Sequence, residues 1–589
     1  MDADAANIWA RKTLALARLV HRLESNSEMD ARRKVFCQLY KKRVRANNRL
    51  EGKILRDLMT STVLFPSDED KIFFLKFSLE ENYLQIIKQL ERMQLIGQSS
   101  FNIHEFMFED GKSALHYLVE KLESTESFHT KEDVFDVIVY LLDTERGVEL
   151  QTPSGTELRL RSIRNYRDNH GYTYLHGACM AGLSASVNLL VEAQPADVNI
   201  DTYPCSPLHV AAQHARTKIV EILLDHGADP NGRDRLDGST PLHALARPCR
   251  CDCASGLSYC DYREPVDEVV KLLVERGAYL EALDRHGDTP LQVAIARLDA
   301  SLAKNLLKRS ASLDNLDQDR MFGGNFSSLE MKCYPFTLNI IEIVELLRSE
   351  EYELDLLTRY RMMKCWMMVR GNDMDYLIGE ETADEELNVL LYFEIIKKIY
   401  FFLEFGFCIK EEAMDYLLQR CHNLRPRVPS HHHDFRPDIE QIDEWMEEVD
   451  KLKGIKITKD VSLYQLCQMN YNKGYSIVKS IEYWLTPAMD RLECASAFLN
   501  IFAKRHIANI LIKPHLTLIA ADLLETDYYK LHLPYTVCRR LAGVMSDDDL
   551  FDLFKRVNED DLAQLLRKTN GSEVQNAPQQ GADEESSFE

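Results

Sequence analysis

No run of ~18 apolar residues passes uninterrupted through this chain, so no membrane-spanning helix is expected. The opening MDADAANIWA lacks the basic-then-apolar order of a secretory leader. These absences lead to the expectation of an intracellular protein, cytoplasmic with the nucleus also open, whose 14 cysteines are mostly reduced thiols. An excess of positive charge is missing too. The 71 basic side chains are outnumbered by 94 acidic ones, a net charge of -23, whereas a general nucleic-acid binder shows a basic patch or stripe. One local basic stretch, ARRKVFCQLYKKRVRANNR, reads as the solvated face of a helix. No glycine-rich phosphate loop, nucleophile elbow or kinase signature occurs. The reading is therefore not an enzyme, with no nucleic acid, no membrane and no catalytic cofactor.

What is present is a recurring unit. SPLHVAAQHARTKIVEILLDHGADPN runs from Ser206 to Asn231. Ser206 is a good helix N-cap and Pro207 suits the first helical position. Leu208, Ala211 and Ala212 share one helical face. The alanines let a second helix, carrying Ile219, Val220, Leu223 and Leu224, lie close. Gly227 follows its last turn, where a left-handed residue is tolerated. The stretch recurs as TYLH at Leu175 and His176, SPLH at Leu208 and His209, and TPLH at Leu242 and His243, with leucine steps of 33 and 34 residues. TPLQVAIA places Leu291 in a further copy 49 residues on, and DGKSALHYLV places Leu115 and His116 in an earlier one, 60 residues before Leu175.

A 33-residue helix-pair period resembles ankyrin repeats, most plainly from Glu109 to Asp314, with a weaker helical copy in KIFFLKFSLEENYLQIIKQLE. One repeat cannot bury its own apolar face, so the resemblance implies a stacked solenoid. It also implies that His116, His176, His209 and His243 tie neighbouring loops together by hydrogen bonds. No serine or cysteine nucleophile repeats beside them in a triad-like arrangement.

Two insertions interrupt the array: EKLESTESFHTKED between the helices of the early copy, and RPCRCDCASGLSYCDYREPVDE in the copy that starts at Thr240. In solenoids such insertions map to loops on one face, often the binding face. Within the second, Cys249, Cys251, Cys253 and Cys260 follow a C-x-C-x-C-x6-C order, which structural zinc could use and a cysteine-rich loop could equally show. The spacing is not the C-x2-C pair repeated twice. Beyond Asp314 the period stops. RPRVPSHHHDFRPD reads as a proline-broken linker, and its His431, His432 and His433 as loop residues rather than a metal site. The tail NGSEVQNAPQQGADEESSFE has almost nothing to bury and reads as disordered.

The remaining signal is LHLPYTVCRRLAGVMSDDDLFDLF, Leu531 to Phe554. Leu533 and Pro534 open it, Val537 and Leu541 follow at helical spacing, and Val544 extends the stripe. Ser546 is an N-cap for a second helix carrying Leu550, Leu553 and Phe554. Read by itself, this is an ordinary core helix pair. With KDVSLYQLCQMNYNKGYSIVKS and RLECASAFLNIFAKRHIANILI before it, the region resembles the PRANC domain, the F-box-like C-terminal module of poxvirus, parasitoid-wasp and endosymbiont ankyrin proteins. That resemblance implies docking on the Skp-type adaptor of a cullin–RING ubiquitin ligase, with Leu533, Pro534, Val537, Leu541 and Leu550 as the adaptor contacts. The chain departs from the pattern at Thr536, where the family usually has glutamate, and at Arg539 and Arg540.

The expected organisation is all-α: a helical segment over 1–69, ankyrin repeats over 70–316, clearest at 169–316, a helical region and linker over 317–440, a PRANC-like domain over 441–568 and an acidic tail over 569–589. The expected function is binding: a target protein on the ankyrin face and a ligase at the far end. The rival expectation is a scaffold that sequesters a signalling protein such as an NF-κB-type factor.

Overall fold

The computed structural model describes residues 19–21, 23, 28–45, 49–59, 64–95, 101–124, 128–142, 148–152, 155–159, 164–247, 266–326, 330, 336–370, 385–409, 411–427, 439–478 and 497–575. Among them the chain forms two compact units, one ending at Tyr279 and the other beginning at Leu280.

The first unit opens with α1 (Met29–Arg45), α2 (Arg49–Met59), α3 (Asp68–Glu80) and α4 (Leu84–Leu95). Aromatic packing holds them: the Phe36 and Phe65 rings lie 4.7 and 4.8 Å from Phe74. The boundary drawn at 69 runs through α3, whose N-terminus is closed by a Ser67–Asp70 capping box. The basic stretch on α1 is only partly solvated. Arg33 pairs at 2.7 Å with the fully buried Asp70, Lys41 pairs with Glu81, and Lys34 and Lys42 face water.

The helix pairs that follow are α5 (Ala114–Ser124) with α6 (Phe128–Leu142), α7 (Tyr174–Ala181) with α8 (Ser184–Ala193), α9 (Pro207–Gln213) with α10 (Thr217–Asp225), and α11 (Pro241–Ala244) with α12 (Val266–Glu275). The first pair meets the second through α7, and from there each helix packs on its counterpart in the next pair, α7 on α9 and α8 on α10, then α9 on α11 and α10 on α12. This is the stacking that a repeat unable to bury its own apolar face requires. The insertion placed between the helices of the early copy is a correction. Glu120 to Ser124 belong to α5 and Phe128 to Asp133 to α6, which leaves residues 125–127 between them. Extra length lies instead after α6, where β1 (Val148–Thr152) and β2 (Gly155–Arg159) form an antiparallel hairpin, the only named strands among the described residues.

The second unit starts with the repeat helices α13 (Pro290–Ala296) and α14 (Ala300–Leu307). Next come α15 (Phe336–Ser349), α16 (Leu356–Arg370), α17 (Glu385–Phe405), α18 (Glu411–Leu424), α19 (Ile439–Gly454), α20 (Leu463–Cys467) and α21 (Tyr471–Val478). The 29-residue α22 (Ala497–Glu525) forms its axis, followed by α23 (Tyr535–Val544), α24 (Asp547–Arg556) and α25 (Glu559–Gln575). Helices α15, α16, α20, α21, α23 and α24 all pack on α22. Packing therefore runs across the boundary drawn at 440. Tyr360 of α16 donates to the carbonyl of Val557 at 2.8 Å, Arg359 pairs with Asp522 at 2.5 Å, and Arg361 with Glu559 at 2.8 Å. Phe502–Glu525 is long and apolar enough by length and composition to cross a membrane, and 56% of its apolar window is buried inside the protein.

Candidate functional site

Two regions collect the residues singled out in the sequence: the joints between repeats, and the last helices of the second unit. At the joints, a tight turn precedes each inner helix. Asp168 Oδ1 accepts from the amides of His170 and Tyr172, Asp234 Oδ1 from Asp237 and Ser239, and Asp284 Oδ1 from His286 and Asp288. Each is an Asx-type turn in which a short side chain takes up backbone donors. Gly171 completes the first with a φ of +85°, and a Cβ there would meet the Thr202 carbonyl oxygen at 2.1 Å.

The repeat histidines sit at the start of the inner helices, all buried. His176 Nδ1 faces the Thr173 hydroxyl at 2.8 Å, and its Nε2 donates to the Cys205 carbonyl of the next copy at 2.9 Å. His209 repeats the pattern with Ser206 at 2.7 Å and the Ser239 carbonyl at 2.9 Å. The carbonyl fixes the tautomer, because it can only accept. His243 Nδ1 accepts from the Thr240 amide at 3.1 Å. Burial pushes the His176 pKa down to about 4 and lowers that of His209, so these rings are neutral links. His116 differs. Its Nδ1 lies 2.7 Å from Asp168 Oδ2, a fully buried carboxylate from the following copy. Burial would raise the Asp168 carboxyl, but His116 and the Ser113 and Tyr172 amides hold it below its ordinary range.

Further joint residues lie outside the recurring Leu–His pattern. Asn199 donates to Gly227 O at 2.8 Å and accepts from Asp229 N at 2.9 Å. Asn231 does the same with Gly277 O and Tyr279 N, both at 2.8 Å. Their 32-residue separation is the clue that was available. Arg247 closes on Asp234, a carboxylate with no exposed surface, and reaches Asp237 at 3.3 Å. The four cysteines Cys249, Cys251, Cys253 and Cys260, and His431 to His433, lie outside the described residues. Among the described residues no group of three or more metal-ligating side chains occurs.

In the C-terminal region, α23 turns its small side chains inward. Cys538 and Ala542 are buried, and the helix packs on α22. Its larger apolar side chains point the other way: Val537 is 38% exposed, Leu541 41% and Val544 82%. Leu531 is 44% exposed, Pro534 is exposed and Leu533 is half-buried. Lys530 and His532, either side of Leu531, both have positive φ, at +52° and +48°. Leu550 is a correction: its side chain is 0% exposed on α24, within the core, and cannot meet an adaptor. The Ser546–Asp549 capping box starts α24 and turns Leu550 inward with Phe554, also buried.

Comparison with known proteins bears on the first region. The family described as ankyrin repeats (3 copies) matches residues 129–234 and 175–265. The chain is similar to the NF-kappa-B inhibitor cactus of Drosophila yakuba, 28% identical over 214 residues that cover 29% of this chain and 41% of cactus. It is also similar to human ankyrin repeat and SOCS box protein 6, 31% identical over 173 residues covering 27% of this chain and 37% of the relative. The fission-yeast glycerophosphocholine phosphodiesterase gde1 matches at 30% over 207 residues, 35% of this chain and 16% of that enzyme. The chain thus spans about two-fifths or less of the length of these relatives. Recurring Leu–His pairs, stacked helix pairs and these matches agree, and the chain carries ankyrin repeats.

Proposed function

We propose that this chain is a protein-binding adaptor with two working ends. The ankyrin repeats hold a target protein, and the PRANC-like, F-box-like end docks the Skp-type adaptor of a cullin–RING ubiquitin ligase. One observation carries the second half: α23 buries Cys538 and Ala542 while presenting Val537, Leu541 and Val544 to water. A helix evolved only to fill a core places its large apolar residues inward. The apolar stripe at i, i+4 and i+7 instead has the form of anchors laid into a partner's groove. Proximity is the whole mechanism. Holding target and ligase on one chain raises their effective concentration about each other, and no catalytic group of the chain takes part. The test is a pull-down of purified Skp-type adaptor by the full-length protein, beside a Val537→Ala/Leu541→Ala variant. Capture by the parent and loss in the variant supports the reading, and no capture by the folded parent rejects it.

A second reading is favoured by the likeness to cactus, which is named as an inhibitor of NF-kappa-B. Here the repeats sequester an NF-κB-type factor, and the C-terminal helices only complete a fold. A chain altered at Val537 and Leu541 would then inhibit its target as well as the parent does, whereas the ligase reading requires inhibition to fail.

A further inference from the structure

Arg540 lies three residues after Val537, next to Leu541 and four before Val544, on the exposed face of α23. Several arginines elsewhere in the second unit pair with the chain's own carboxylates: Arg320 with Asp288, Arg359 with Asp522, Arg361 with Asp319 and Glu559. Arg540 is exposed and has no ion-pair partner among the described residues. The helix carries no acidic residue, and its only charges are Arg539 and Arg540. In a protein of net charge -23 acidic side chains are abundant, yet none of those whose side chains are described forms an ion pair with it.

We propose that the α23 face is a mixed docking surface. Its occupant is a protein whose apolar groove receives Val537, Leu541 and Val544 and whose groove edge carries carboxylates that pair with Arg540. The inference rests on the reading of this end as a docking end and adds the chemistry of the partner. Cation and apolar anchors do different jobs. Apolar anchors set how long the complex lasts, while an edge charge mainly sets how fast the right partner arrives and how strongly salt matters. Leu531, held out between two residues of positive φ, extends the apolar part at the start of the helix.

The experiment uses the full-length protein and purified Skp-type adaptor as the probe. Affinity and association rate are measured at about 50 mM and about 500 mM salt, where screening differs several-fold in range. The variants are Arg540→Glu, Arg540→Gln and Val537→Ala/Leu541→Ala, each checked for an unchanged melting temperature. The expected result is that Arg540→Glu slows association on the order of tenfold at low salt and flattens the salt dependence, with Arg540→Gln between it and the parent. The apolar double variant speeds dissociation and keeps the salt dependence. If the apolar variant loses binding while both Arg540 variants match the parent at each salt, the charge-reading edge is overturned and the docking end stands. If the parent does not bind, both fall. A salt-dependent dimer of the chain, abolished by Arg540→Glu in sedimentation, would make a second copy the occupant and overturn the proposed partner.

Discussion

The repeat histidines are chemically uniform in sequence and divide into two kinds in space. His176 and His209 are neutral rings donating to backbone carbonyls, and His116 faces a carboxylate. The neutral kind has a definite pH signature. With a folded-state pKa near 4 against an ordinary 6.5, His176 binds fewer protons folded than unfolded between those values. Its contribution is intact above pH 6.5 and is lost as pH falls through that window towards 4. Thermal unfolding should therefore show a melting temperature that declines across it, and the decline should shrink in His176→Gln. Removing the ring altogether, in His176→Ala, leaves the Cys205 carbonyl without its donor and costs about 1–3 kcal/mol, measurable by urea unfolding. Arg247→Ala exposes the other kind of weakness. It leaves the Asp234 carboxylate buried and unpaired, at a cost of about 3 kcal/mol, and Arg247→Ala/Asp234→Ala should cost less than the single change.

At the scale of elements, the last helix pair sorts its residues by face. Leu550→Ala removes a side chain from the core and should destabilise the second unit by about 2–5 kcal/mol. Leu541 is 41% exposed, so Leu541→Ala loses less packing and should cost only about 1 kcal/mol. Denaturant titration of both separates the buried from the exposed side. Spacing placed Leu550 with Leu553 and Phe554 on a helix of an ordinary core pair; the family resemblance, not the spacing, made it an adaptor contact. What decides is the capping box, because Ser546 and Asp549 set the angle at which α24 enters the core. The ankyrin pattern was far more legible. Leu175, Leu208 and Leu242 recur at near-constant steps, and a period constrains every copy at once. The His116–Asp168 joint was not, since an aspartate in a polar turn looks like any solvated loop residue until the next copy stacks over it. Nor was the β1–β2 hairpin, whose strands follow a helix end with no period to betray them.

On the scale of the whole chain, the stretch from 317 to 440, expected as a helical region and linker, contributes helices to the core of the second unit. Its α15 and α16 supply core to α22, so a fragment beginning at 441 lacks part of its own interior. Such a fragment should be protease-sensitive and lack a cooperative melt, whereas residues 280–589 should melt cooperatively. Limited proteolysis and circular dichroism of the two would show it, and the same α22 that passes a membrane test by length and composition is the element that fragment would leave uncovered.

The Tyr360 and Arg361 contacts span 197 and 198 residues. Pairings so distant in sequence are slow to close, and on the ribosome they cannot close early. Translation at about 5–20 residues per second separates the emergence of α16 from that of α25 by roughly 10–40 seconds. The ankyrin copies of the first unit, built from neighbours, can fold as they appear. Helices α15 and α16 can pack on each other, and α15 on α14, but their faces toward α22 and the later helices must wait uncovered, which makes the middle of this chain the part most exposed to misfolding during synthesis.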